Sequence, residues 1–139
     1  SYVGLSHEAL DLAPEADVVI NAAPLTSSTM GMFDADFFSA MKSTAYFINI
    51  GRGKNAVTSD LTAALKTGEI AGAGLDVIEP EPLPPEHELW RLPRVIITPH
   101  VAARSAITAE RITALIAENV QRYINGDPLL NVVDVKRGY

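Results

Sequence analysis

AYFINIGRGKNAVTSDLTAALKTGEIAGAGLDVI, residues 45–78, is the stretch that decides the fold. Residues 45–50 form a short apolar run with the length and branching of a buried strand, closed by Gly51-Arg52-Gly53. Thr58 or Ser59 is expected to cap a helix running through Lys66, with Asp60 in its first turn and Gly68 just past its end. Residues 70–78 then contain another strand. Strand, helix and strand in this order argue for a crossover that returns parallel to the first strand.

The same alternation extends outward. Upstream, residues 17–22 (DVVINA) read as a strand broken by Pro24. Residues 34–42 (DADFFSAMK) read as a short helix, with Asp34 at the N-cap and Phe37, Phe38 and Met41 on one face. Downstream, residues 95–98 form a fourth strand. The segment leading to it, EPEPLPPEHELW (79–90), carries proline at a density that excludes helix and central strand, so a stiff irregular loop is expected. From about Ser105 a long helix follows, its stripe made by Ile112, Leu115, Ile116, Val120, Tyr123 and Ile124, and Gly126-Asp127-Pro128 ends it. The tail from Leu129 has no clear assignment. The expected fold is α/β, a Rossmann-like doubly wound parallel sheet covered on both faces.

Composition narrows the function. The chain has 139 residues and a net charge of -6, which disfavours nucleic acid or an anionic membrane as partner. No apolar run is long enough to span a bilayer. With no cysteine there is neither a disulfide framework nor a thiolate metal site, and a reducing, cytoplasmic setting is the expectation. The opening SYVGLSHEAL lacks an initiator methionine, which reads as a processed or excised piece, or part of something longer.

In parallel α/β sheets, ligands bind beyond the carboxyl ends of the strands. The residues there are Ala23-Pro24, Arg52, Asp76 and His100. An arginine can grip a carboxylate through two parallel hydrogen bonds, and a histidine moves protons near neutral pH. Glu81, in the proline-rich loop, is placed to hold that imidazole. Each has a plainer reading as well: a solvated turn arginine, a turn-capping aspartate, a strand-end histidine, a solvated loop glutamate. His7 and His87 lie in polar segments and read as surface residues. GAGLDV (72–77) is no dinucleotide fingerprint, since Val77 replaces the third glycine and no helix follows; its glycines are expected to let strand pack on helix. A phosphate-cradling GxxxxGK[ST] is also absent.

Taken in order, APLTSST (23–29), FINIGRG (47–53), GLDVIEPEPLP (74–84) and ITPHVA (97–102) resemble the D-isomer-specific 2-hydroxyacid dehydrogenases, with glyoxylate/hydroxypyruvate reductases nearest in character. The likeness covers residues 15–126. It implies an oxidoreductase passing hydride between NAD or NADP and a small 2-keto or D-2-hydroxy acid. It implies Arg52 on the substrate carboxylate, His100 as acid/base and Glu81 paired with that histidine. It also implies Asp76 at the nicotinamide end, with Pro24, Ile50 and Ala102 lining the cofactor. The related formate dehydrogenases carry glutamine in place of that glutamate, so Glu81 favours hydroxyacid chemistry.

The family's GxGxxG and the charged residue after the next strand are absent, as is the body of its substrate domain. Residues 1–103 are therefore expected to be the second half of a nucleotide-binding domain. Residues 104–139 are expected to be the closing helix and tail that return to a substrate domain. Ala103 stands where many relatives have glycine or serine. The resemblance implies a homodimer for the full-length protein and little activity for this piece alone. The competing reading is an NAD(H)-sensing, corepressor-like binding protein of the same fold, separated from the enzyme by turnover.

Overall fold

The computed structural model describes residues 8–136, so the reading of His7 lies outside the described residues. The chain divides into two compact units, one ending at His100 and one beginning at Val101.

The first unit is built on four parallel strands, β1 (Val18–Asn21), β2 (Tyr46–Asn49), β3 (Gly72–Leu75) and β4 (Val95–Ile97), lying side by side in chain order. The register aligns Asn21, Asn49, Leu75 and Ile97 at the carboxyl ends. Between strands run α2 (Ala35–Ala40) and α3 (Thr58–Thr67), and a single-turn helix, α1 (Ala9–Leu12), precedes β1. Asp34 caps α2 as its residue type predicts, its side chain accepting from the Phe37 amide. Gly68 ends α3 in the left-handed conformation at φ 78°.

The core lies on one face of the sheet. Phe47, 0% exposed, packs from β2 against Phe33 and Phe38, with ring centroids 5.0 and 5.2 Å away. Leu61 and Ala64 of α3 and Leu75 of β3 complete it. The expected cover on both faces is not what this unit has. Val18, Ile20 (61% exposed), Tyr46 and Ile96 (69%) point to the other face and stay open. The cause is topological. When each strand pairs with its successor through a right-handed crossover, every connecting helix lands on the same side.

Three local expectations also differ. No side chain caps α3; Val57 holds the N-cap position, and the Thr58 hydroxyl donates instead to the Glu79 carbonyl in the proline-rich segment. That segment is not free of helix: Glu88–Arg91 makes a single 3-10 turn. His87 is half-buried rather than a bare surface residue, and its Nδ1 accepts from the Leu89 amide to start that turn. The β3 glycines face neighbouring strands rather than a helix; a Cβ on Gly72 would come within 2.4 Å of the Arg94 carbonyl.

The second unit holds α4 (Thr108–Asn125), ended by Gly126 at φ 76°. It starts three residues later than Ser105, whose side chain instead bonds the Thr108 hydroxyl ahead of the first turn. Of its expected stripe, Ile112, Ile116, Val120, Tyr123 (78% exposed) and Ile124 lie open, with Leu115 half-buried. The unassigned tail folds back on the helix: the Asn119 amide clasps Leu130, donating to its carbonyl at 3.1 Å and accepting its N–H at 2.8 Å. Among the described residues no helix is long and apolar enough to cross a membrane.

Candidate active site

The parallel register sets the exits of all four strands along one rim, which fixes where each polar residue of the first unit stands. β4 exits through Thr98-Pro99 to His100, whose backbone sits at φ 53°. Few L residues adopt that region, and it persists where surrounding bonds hold it. Here the His100 amide donates to the carbonyls of Asp76 and Thr98, both at 3.0 Å. The imidazole Nδ1 lies 2.9 Å from Glu81 Oε1, so the strand end and the proline-rich loop meet through their side chains. Both groups are partly open to solvent, as groups that must meet a ligand are.

The loop presenting Glu81 is fastened along its length. Thr58 holds the Glu79 carbonyl, Lys54 Nζ lies 4.0 Å from Glu79, and the Trp90 indole N–H donates to the Pro84 carbonyl at 2.9 Å. Leu83 and Leu89 are buried beneath it. Glu79–Pro80 and Glu81–Pro82 are both cis. Asp76, Glu81, Leu83, Trp90 and Pro99 line a cavity of about 250 Å³ on this side of the rim.

Asp76 is 7% exposed and sits at the end of β3. Its amide donates to the Asn49 carbonyl, its carbonyl takes the His100 amide, and its Oδ1 accepts from the Thr98 hydroxyl at 2.5 Å. The aspartate thus ties β2, β3 and β4 together at their exits. Arg52 lies between two glycines that nothing larger could replace. A Cβ on Gly51 would come within 2.8 Å of the Ala23 carbonyl, and one on Gly53 within 2.3 Å of the Ile78 carbonyl. The arginine side chain is exposed, with Nη1 donating to the Gly51 carbonyl at 2.8 Å. Pro24 and Ile50 are exposed on the neighbouring exits, whereas Ala102 belongs to the second unit, where it too is exposed.

Direct contact therefore joins His100, Glu81 and Asp76, and Arg52 stands on the same rim through Asn49. Sequence reading missed Asn21, Asn49 and Thr98. The available signal was a polar residue at a core-facing position of an apolar strand, as in VIN and FIN.

A family model for the D-isomer specific 2-hydroxyacid dehydrogenase NAD binding domain matches residues 3–102. The chain belongs to this family. Glyoxylate/hydroxypyruvate reductase A of Salmonella heidelberg is 40% identical over 139 residues, covering 100% of this chain and 44% of that protein. Glyoxylate reductase/hydroxypyruvate reductase of Mus musculus is 43% identical over 118 residues, covering 85% of this chain and 36% of the relative. Among solved structures, a D-isomer specific 2-hydroxyacid dehydrogenase of Xanthobacter autotrophicus Py2 in complex with NADPH and MES superposes with a TM-score of 0.86. It is 37% identical and covers 96% of this chain and 54% of its own. An NADPH-dependent glyoxylate/hydroxypyruvate reductase of Sinorhizobium meliloti in complex with NADP and sulfate gives a TM-score of 0.85. Its identity is 36%, covering 96% of this chain and 43% of that one. This member of the family thus spans less than half the length of the curated relatives named.

Proposed function

We propose that the chain is the proton-handling half of the dinucleotide-binding domain (residues 1–103) and the closing helix (104–139) of a 2-keto acid reductase. The complete enzyme interconverts a keto acid of the glyoxylate or hydroxypyruvate class and its D-2-hydroxy acid with NAD(P)H. The observation that carries this reading is the His100–Glu81 pair at 2.9 Å on the strand-exit rim beside Asp76. The substrate class is supported by the names of the similar reductases.

The rim suits the nicotinamide end of the cofactor. A carboxylate at the exit of β3 accepts hydrogen bonds, which is what a carboxamide N–H requires, and exposed Pro24 and Ile50 offer apolar surface to a ring. Asp76, Pro24, Ile50 and Ala102 are the residues assigned to it. When bound, the reduced nicotinamide supplies hydride to the keto carbon.

The chain's own groups do the rest. Glu81 engages Nδ1 of His100, which fixes the ring and leaves Nε2 to pass a proton to the keto oxygen. Arg52 provides permanent positive charge for the substrate carboxylate and for the oxygen on which negative charge develops. The anchored proline-rich loop keeps Glu81 in place through the cycle. The reading also has the enzyme as a cytoplasmic homodimer, and sedimentation of the complete enzyme at increasing dilution checks the oligomeric state. Nothing in the geometry or in the relatives favours a corepressor-like binding protein.

Replacing His100 with asparagine in the complete enzyme tests the assignment. We expect kcat for glyoxylate reduction to fall about 10²- to 10⁴-fold, with the NADPH dissociation constant within about twofold of wild type. Unchanged turnover would remove His100 from the chemistry.

A further inference from the structure

We infer that Asn49 is a positioning residue for Arg52, backed by Asn21 in a buried amide relay beneath the strand exits. The inference rests on the reading that Arg52 holds the substrate carboxylate. Asn49 is the last residue of β2 and is 1% exposed; Asn21, its register partner on β1, is 2% exposed. An amide withdrawn from water at such a position costs stability unless its groups are paired, and these are paired to a purpose.

Asn49 grips the arginine residue from both sides. Its Oδ1 accepts the Gly51 amide at 3.1 Å, and its Nδ2 donates to the Arg52 carbonyl at 3.2 Å. The Gly51 carbonyl in turn receives Arg52 Nη1 at 2.8 Å. One side chain therefore holds the Gly51 N–H and the Arg52 carbonyl, and the Gly51 carbonyl on which the guanidinium rests lies between these two anchors. Asn21 orients that side chain by donating from Nδ2 to Asn49 Oδ1 at 2.8 Å. Its own Oδ1 accepts the Ala23 amide at 3.0 Å, one residue ahead of Pro24. Gly51 approaches Asn21 and Ala23 so closely that a Cβ there would come within 2.9 Å of the Asn21 amide and 2.8 Å of the Ala23 carbonyl. The relay thus holds the arginine exit and the Pro24 exit in a single register, so the carboxylate grip and the apolar ring surface keep their separation.

The test uses the complete enzyme. Asn49→Asp keeps the acceptor for Asn21 and Gly51 but puts an oxygen against the Arg52 carbonyl. We expect the KM for glyoxylate to rise about tenfold or more, with the NADPH dissociation constant within about twofold and a cooperative melt retained. Asn21→Asp keeps the acceptor for the Ala23 amide but puts an oxygen against Asn49 Oδ1, and it should give a smaller rise in the same constant. It decides alone if Asn49→Asp does not fold. Equal losses of glyoxylate and NADPH binding, or an unchanged glyoxylate KM, overturn the inference. Arg52→Ala run in parallel separates the two levels. If it impairs glyoxylate use while both asparagine variants do not, only the relay fails; if it too has no effect, the reading of Arg52 fails and takes the relay with it.

Discussion

His100 holds a left-handed backbone that costs an L residue about 1–2 kcal/mol, and two hydrogen bonds to its amide keep it there. The imidazole is consequently aimed by the ends of β3 and β4 rather than by a mobile loop, and Glu81 completes the aim. Glu81→Gln retains a hydrogen-bonding partner but removes its charge. A charge-assisted bond is about twice as strong as a neutral one, so kcat for keto-acid reduction should fall about tenfold. Steady-state kinetics at saturating cofactor check this; an unchanged kcat would make the pair merely structural. His100, Arg52 and Asp76 could be picked out in the sequence because each interrupts or follows an apolar run, and Glu81 because it stands in the proline-rich loop leading to the fourth strand. Asn21 and Asn49 carried only the weaker signal of a polar residue at a core-facing position of such a run, and Thr98 looks like an ordinary strand residue. Only the register shows that their side chains meet.

Among the elements, the strands were legible throughout, since four short apolar runs each end at a polar or glycine residue. What escaped was tertiary. Thr58 looks like a cap for α3, yet its hydroxyl spans to Glu79 and so fastens the loop that bears Glu81. The Glu88–Arg91 turn escaped for a similar reason, being held by His87, by the buried Leu89 and by a pairing with α3. In that pairing Lys66 Nζ lies 2.6 Å from Glu88 Oε2. The hydrogen bond to Lys66, then its charge, hold the Glu88 carboxyl below its ordinary value of 4.5. A lowered folded-state value means the pairing adds stability above the ordinary carboxylate range and loses it as pH falls through the lowered value. Melting temperatures of Lys66→Met and the parent should therefore differ at pH 7 and converge in acid. A gap that persists undiminished at low pH would contradict the assignment. The pair is exposed, so the difference at neutral pH should be small.

At the scale of the molecule, the alternation of strand and helix announced a parallel sheet, but it left the strand order open. That order decides that the helices between the strands gather on one side and that Val18, Ile20, Tyr46 and Ile96 stay open. An apolar face of this kind seeks cover. The isolated 139-residue chain should associate as its concentration rises, and Ile20→Lys with Ile96→Lys should shift it toward monomer. Light scattering over a dilution series distinguishes the two, and a wild-type chain that stays monomeric at high concentration would sink the expectation. Strand order has another effect, on what can change without harm. Because neighbours in space are successors in the chain, Arg52, Asp76 and His100 appear along the sequence in the order in which they stand along the rim. Lengthening a crossover at its far end, beside Gly68 for instance, adds chain where no exit lies and leaves that order intact. Inserting one residue within a four-residue strand is different: it turns every later side chain of that strand to the opposite face. The molecule can therefore vary in size at the far ends of its crossovers, but not within the strands or over the exit segments that carry Arg52, Glu81 and His100.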